Sequence, residues 1–236
     1  MASPAERRLT ASDIANGYVD VSFSPPAEGQ VQTVSANLVD AAGNVYIADR
    51  NTSTIKRWIK ATNSTNTLIA SGLSLPQGIA MDGAGNVYIA DTFNGAIKKW
   101  TAATSNVTTL VTSGLSTPAG IAVDGSGNLY VGGSFTVAGT MAANNIAKWN
   151  GSAWSALGSG VNNVVNALAV TATGVYAGGT FTTAGGVSAN RIAFWNGNFW
   201  VALGSGMNGV VLTLAITNTG LYAGGNFTTP GNRIAK

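Results

Sequence analysis

Short runs of alternating apolar and polar residues recur along this chain, and each is stopped by Gly, Asn or Pro. The first is GYVDVSFS, residues 17–24. Val19, Val21 and Phe23 fall on one face, and Tyr18, Asp20, Ser22 and Ser24 on the other. A period of two with one apolar face predicts a half-buried strand, and Pro25-Pro26 ends it. The clearest stretch is PQGIAMDGAGNVYIADTFNGAIKKW, residues 76–100. It predicts a strand a over 78–82, a strand b over 86–91 and a strand c ending at Trp100, with an outer strand d over 107–111. The Asp-Gly-Ala-Gly-Asn link between a and b is a tight turn, in which Gly supplies positive φ and Asp or Asn bonds its own backbone. The many β-branched residues and frequent Gly argue against helix throughout.

The pattern repeats. The phrase around Tyr88 returns around Tyr46, Tyr130, Tyr176 and Tyr222, at spacings of 42, 42, 46 and 46 residues. A period of roughly 40–50 residues with several strands in each predicts a β-propeller. The expected fold is all-β: a five-bladed β-propeller of four-stranded blades. The blades are read at 31–72, 73–114, 115–160, 161–206 and 207–236, after an N-terminal segment 1–30. The fifth unit stops before its Trp and its outer strand. An open ring leaves sheet edges exposed, so the strand 17–24 is expected to complete the last blade. The alternative is that residues 1–30 form an attachment arm.

Composition narrows the chemistry. The chain has 236 residues, no Cys and no His, and only 9% of its residues are charged. It therefore has no disulfides and no thiolate chemistry, and lacks the commonest general base and transition-metal ligand. All nine acids lie at or before Asp124, whereas residues 125–236 carry only Lys148, Arg191, Arg233 and Lys236. Scattered bases do not make a nucleic-acid stripe. No apolar run reaches the roughly 18 residues of a membrane span, and the N-terminus lacks the apolar core of a signal peptide. Neither nucleic acid nor membrane insertion is expected. The low charge fits an extracellular, cell-surface or virion setting.

Two families share this text. Pro76, Gly78, Asp82, Gly85, Asn86, Tyr88, Asp91, Asn94 and Ile97, with Pro118, Gly120, Asp124, Gly127, Asn128 and Tyr130, resemble NHL repeats. From Gly132 the wording changes to GGSFTVAGTMAANNIAKWNGSAWSALGSG. It returns in the fourth unit as GGTFTTAGGVSANRIAFWNGNFWVALGSG. This second dialect resembles the Gly-Gly-x-Phe-Thr repeats of large bacterial surface proteins. Both resemblances imply propeller blades. Residues 9–19, LTASDIANGYV, are similar to the start of β-rich modules in tailed-phage structural proteins. The stretch through 40–44 is similar to bacterial Ig-like adhesin repeats. Propeller lyases resembling virginiamycin B lyase share the blade text, but their chemistry needs a His and a metal, and this chain has no His.

Candidate site residues are few. Asp40, Asp82 and Asp124 each open a Gly-rich turn and read as turn formers. Asp49 and Asp91 end strand b, where the later units carry Gly133, Gly179 and Gly225; they are the weak acidic candidates for a ligand site. Each turn offers one carboxylate, too few for tight calcium, so no metal and no cofactor is expected. Trp58, Trp100, Trp149 and Trp195 recur at one blade position and read as packing between blades. Trp154 and Trp200, each in Asn-Gly-x-x-Trp, are the better candidates for exposure and for stacking on a sugar. The expectation is a non-enzymatic surface module that contacts a protein or cell-surface glycan, or other virion or surface subunits. A phage attachment or decoration protein is the most concrete form, and a bacterial adhesin the next. A channel-sited glycan hydrolase or lyase and an engineered scaffold are the alternatives.

Overall fold

The computed structural model describes residues 34–228 and 233–234. The strand expected at 17–24, and with it the completion of the last blade, lies outside the described residues. Those described are β throughout, apart from one 3-10 turn, Thr92–Asn94. No helix among them is long and apolar enough to cross a membrane.

Among the described residues the strands form five successive antiparallel sheets, with a two-stranded ribbon beside the third and the fourth. The first holds β1 (Val34–Val39), β2 (Val45–Asp49), β3 (Thr54–Ile59) and β4 (Ser64–Ile69) in that order. The second holds β5 (Gly78–Met81), β6 (Val87–Asp91), β7 (Ala96–Trp100) and β8 (Val107–Val111). In the third, β9 (Thr117–Val123) and β10 (Leu129–Ser134) are followed by a small ribbon, β11 (Val137–Ala138) with β12 (Met141–Ala142). Then β13 (Ile146–Trp149) and β14 (Trp154–Ala156) complete the sheet. The fourth repeats this plan with β15 (Val165–Thr171), β16 (Gly174–Gly179), the ribbon β17 (Thr183–Ala184) and β18 (Val187–Ser188), β19 (Ile192–Trp195) and β20 (Trp200–Ala202). The fifth has three strands, β21 (Val210–Thr217), β22 (Gly220–Asn226) and β23 (Arg233–Ile234).

Consecutive sheets stack face to face, with their first strands side by side in the order β1, β5, β9, β15, β21. This is a β-propeller. Its middle strands, such as β6 and β16, are buried on both faces because each lies between two neighbouring sheets. Val87 and Ile89 of β6 join Tyr46 and Ile55 of the first sheet in one core cluster. The alternate residues Tyr88 and Ala90 join Leu129 and Val131 of the third sheet in another. Ile55, Ile89, Ile97, Ile146 and Ile192 are wholly buried. Each such side chain contributes about 1.5–3 kcal/mol of transfer free energy.

The sheets do not close into a ring among the described residues. On β15, Ala169 packs against the core cluster that holds Val211 and Leu221 of the fifth sheet. On β21, Leu212 and Ile216 remain 51% and 38% exposed, because no described sheet follows. The ribbons of the third and fourth sheets are a second departure from the expected four strands. They pack beside the outer strands β14 and β20, and in and beside them Phe135, Ala138 and Ala143, and Phe181, Ala184 and Ala189, are buried.

Candidate functional site

Each of the first three joints between sheets is built from one row of side chains. The Tyr of strand b faces a cation on strand c across the ladder, and the cation faces a polar residue on strand d. The rows are Tyr46–Arg57–Asn66, Tyr88–Lys99–Thr108 and Tyr130–Lys148–Ser155. In each the cation lies over the Tyr ring, at 5.9, 5.2 and 5.4 Å from its centroid. The Tyr packs in one cluster with the Trp of the following sheet: Tyr46 with Trp100, Tyr88 with Trp149, and Tyr130 with Trp195.

The first two joints carry a Tyr–Asp seal, made within the Tyr's own sheet. Asp82 accepts hydrogen bonds from the Ala84 and Asn86 amides at Oδ1, and from Asn86 Nδ2 and the Tyr88 hydroxyl at Oδ2, the last at 3.0 Å. Tyr46 donates likewise to Asp40 at 3.4 Å. Asn44 and Asn86 then accept from the Lys60 and Ala102 amides, which tie the loop between strands c and d to the turn between a and b. Tyr46 and Tyr88 are buried. Burial pushes the Asp82 carboxyl up, but the Asn86 side chain and amide and the Tyr88 hydroxyl outweigh it and hold the group below its ordinary value. Asp40 is lowered in the same way.

The third joint is open. Asp124 keeps its turn, accepting from the Ser126 and Asn128 amides and from Asn128 Nδ2 at 2.7 Å. Tyr130, however, makes no bond to it among the described residues, and stays half-buried. Two shortened loops explain the gap. In the third sheet strands c and d are joined by 150–153, where Asn150 Oδ1 accepts from the Ser152 and Ala153 amides. The longer loop 101–106 does this work in the second sheet. Opposite, the fourth sheet turns through Thr171 to Gly174, closed by the Thr171 hydroxyl on the Gly174 carbonyl rather than by Asp and Asn. Between them lies a cleft of about 850 Å³, lined by Asp124, Tyr130, Lys148, Ser155, Thr171 and Trp195. Burial raises the Asp124 carboxyl, but the Asn128 and Ser126 bonds and the Lys148 charge bring it below its ordinary value.

The residues singled out in the sequence fall elsewhere. Asp49 and Asp91 are 1% and 0% exposed. Asp49 holds Lys56 at 2.8 Å and accepts from the Thr52 amide. Asp91 pairs with Lys98 at 3.0 Å and accepts from the Ser74 amide and Asn94 Nδ2. Lys98 also donates to the Gly72 carbonyl. Both acids are therefore internal locks, out of reach of a ligand. For Asp49, burial works upward, and the Lys56 and Thr52 bonds bring the carboxyl below its ordinary value.

Trp154 is half-buried beside Trp149, their ring centroids 5.3 Å apart, and lines a smaller groove of about 440 Å³ with Leu110 and Met141. The expected exposure of Trp200 is corrected: it is 5% exposed, and its Nε1 donates to the Leu157 carbonyl at 2.8 Å. The ribbon turn at Gly185 and the link at Gly158 close over its indole. Among the described residues no three His, Cys, Asp or Glu side chains come together as a metal site. Tyr130, Lys148 and Trp195 were missed as a set. The available signal was the simultaneous loss of the Asp-Asn turn in the fourth unit and of two loop residues in the third.

A family described as a beta-propeller repeat matches residues 108–134, the stretch in which the two dialects meet. No curated protein matches the chain's sequence. Among solved structures, a chain of a nidogen/laminin complex superposes with a TM-score of 0.62. It is 19% identical, over 81% of this chain and 72% of that one. A catalytically inactive His-to-Ala variant of virginiamycin B lyase from Staphylococcus aureus, solved with quinupristin, superposes with a TM-score of 0.59 at 12% identity. That match covers 81% of this chain and 62% of the lyase. At such identities the likeness is one of fold, and the fold these comparisons share with this chain is the β-propeller.

Proposed function

We propose that this chain is a non-catalytic binding module that works at a cell or virion surface. It holds a protein or glycan partner in the cleft between its third and fourth sheets. The observation that carries the reading is the cleft itself. It is the one joint of the first three where the Tyr–Asp seal is missing, and it presents aromatic faces beside hydroxyl and ammonium groups. The acids that an enzyme would need are spent on structure: Asp40, Asp82 and Asp124 on turns, Asp49 and Asp91 on buried Lys pairs. The similarity of residues 9–19 to phage structural modules supplies the virion setting. The lyase neighbour favours a rival reading, an enzyme. The form solved is a His variant described as inactive, and this chain contains no His.

A printed glycan panel and a panel of cell-surface proteins test the proposal together, with the immobilised chain scored for retention and for new chain ends. Retention of a partner with no bond cleaved is the expected result. Release of cleaved product from a retained glycan would overturn it.

A further inference from the structure

We infer that the cleft between the third and fourth sheets takes an acidic pyranose, such as a hexuronate residue of a polysaccharide. The inference rests on the reading of the chain as a binding module and names the chemistry of its ligand. Its argument is the state of Lys148, the cation that lines the cleft. Its equivalents are Arg57 and Lys99, in joints where the Tyr is bonded to the Asp of its turn. Lys56 and Lys98, one residue earlier on strand c, pair with Asp49 and Asp91, and Ala147 holds their place here. Lys148 makes no ion pair within 4 Å among the described residues; it lies over the face of the Tyr130 ring, and its charge acts on Asp124 from further away. The acid nearest in the cleft, Asp124, already accepts three hydrogen bonds from its own turn. The cleft therefore has a cation with open donors and a carboxylate whose acceptors are largely used. An ammonium in this state selects an anionic partner, since a charge-assisted bond is about twice as strong as a neutral one.

The remaining walls fit a sugar ring. Trp195 is half-buried, its indole held from behind by Gly158 and Trp200, so one face is fixed for stacking against the apolar side of a pyranose. The Ser155 and Thr171 hydroxyls can each donate or accept toward ring hydroxyls. The fourth-sheet wall comes from a stretch, 125–236, without a single acidic side chain. Nothing on that side repels a carboxylate.

The test is calorimetric titration of the full chain with an oligouronate, against the same oligomer with its carboxyls reduced to alcohols. The oligouronate should bind at least about tenfold more tightly, as one charge-assisted hydrogen bond allows, and more weakly as salt rises. Lys148→Gln, which keeps length and removes charge, should erase that advantage. Lys99→Gln, the equivalent change at the sealed second joint, should leave it intact. Equal affinity for the acidic and reduced oligomers, or an unchanged advantage in Lys148→Gln, overturns the inference. The wider reading of a binding module then stands on whatever the chain still holds. If neither oligomer binds but a protein is captured, the inference fails and that reading survives. If the folded chain binds no saccharide and no protein, both fail.

Discussion

The first two sheets and the next two fill the same position in opposite ways. Three residues after the strand-b Tyr, the first two carry Asp49 and Asp91, each buried and locked to a Lys. The third and fourth carry Gly133 and Gly179, where a Cβ would run into the Thr117 and Val164 carbonyls. There the chain comes back on itself and inserts a ribbon whose Phe135 or Phe181 fills the joint. One dialect closes its blade with a buried ion pair, the other with an apolar plug. A buried pair is strongly directional but costs desolvation, whereas an aromatic plug gains from area alone. The second solution needs no acid, which explains how residues 125–236 can lack one altogether. It also puts Ala147 where the first two sheets carry Lys56 and Lys98, so the third sheet has neither member of the pair.

This contrast can be broken from either side. The largest effect should come from removing a plug. Phe181 is wholly buried, so Phe181→Ala should cost about 3–5 kcal/mol, read as a lowered denaturation midpoint. Next comes a lock. Asp91→Ala strips the partner of Lys98 and the acceptor of the Ser74 amide. It should cost about 3 kcal/mol, the range for breaking a buried pair. If Asp91→Ala proves neutral, the ion pair is not what closes the second sheet.

Acid should separate the dialects in the intact chain. Asp40, Asp49, Asp82 and Asp124 all lie below the ordinary carboxyl value of 3.8. A carboxyl lowered by folding adds stability above its unfolded value, and that stability is lost as pH falls through the folded one. Hydrogen exchange should therefore speed up below about pH 4 in the first three sheets, and leave β16 and β19 little changed. Uniform loosening would contradict the division. The smallest effect concerns the seal. Tyr88→Phe loses a hydroxyl bound to Asp82 and should cost about 1 kcal/mol. Tyr130→Phe should cost close to nothing, and equal losses would show that the third joint is sealed like the second.

Much of this was legible in the chain. Alternation located the strands, and the Tyr spacing counted the sheets. Asp82 and its copies could be read as turn formers because their bonds are local: an Asp, a Gly and an Asn within five residues settle them. Features set by distant partners were not legible. Asp91 looks like a site until Ser74, 17 residues back, is seen to donate to it. Trp200 looks exposed beside its turn, but its Nε1 partner is Leu157, 43 residues away in the previous sheet. The ribbons escaped notice because two-residue strands such as Val137–Ala138 have no period to read. The cleft arises from two loops in different sheets each being too short to meet, and neither loop alone announces it.

The central claim is that the change of dialect opened the joint at which this chain binds. Hydrogen exchange measured with and without a saturating retained partner tests it most directly. Protection should appear at 123–126 and 171–174, the two turns that flank the cleft, with the turns at 40–44 and 82–86 unchanged. Protection at those sealed turns, with none at 123–126 and 171–174, would contradict the account.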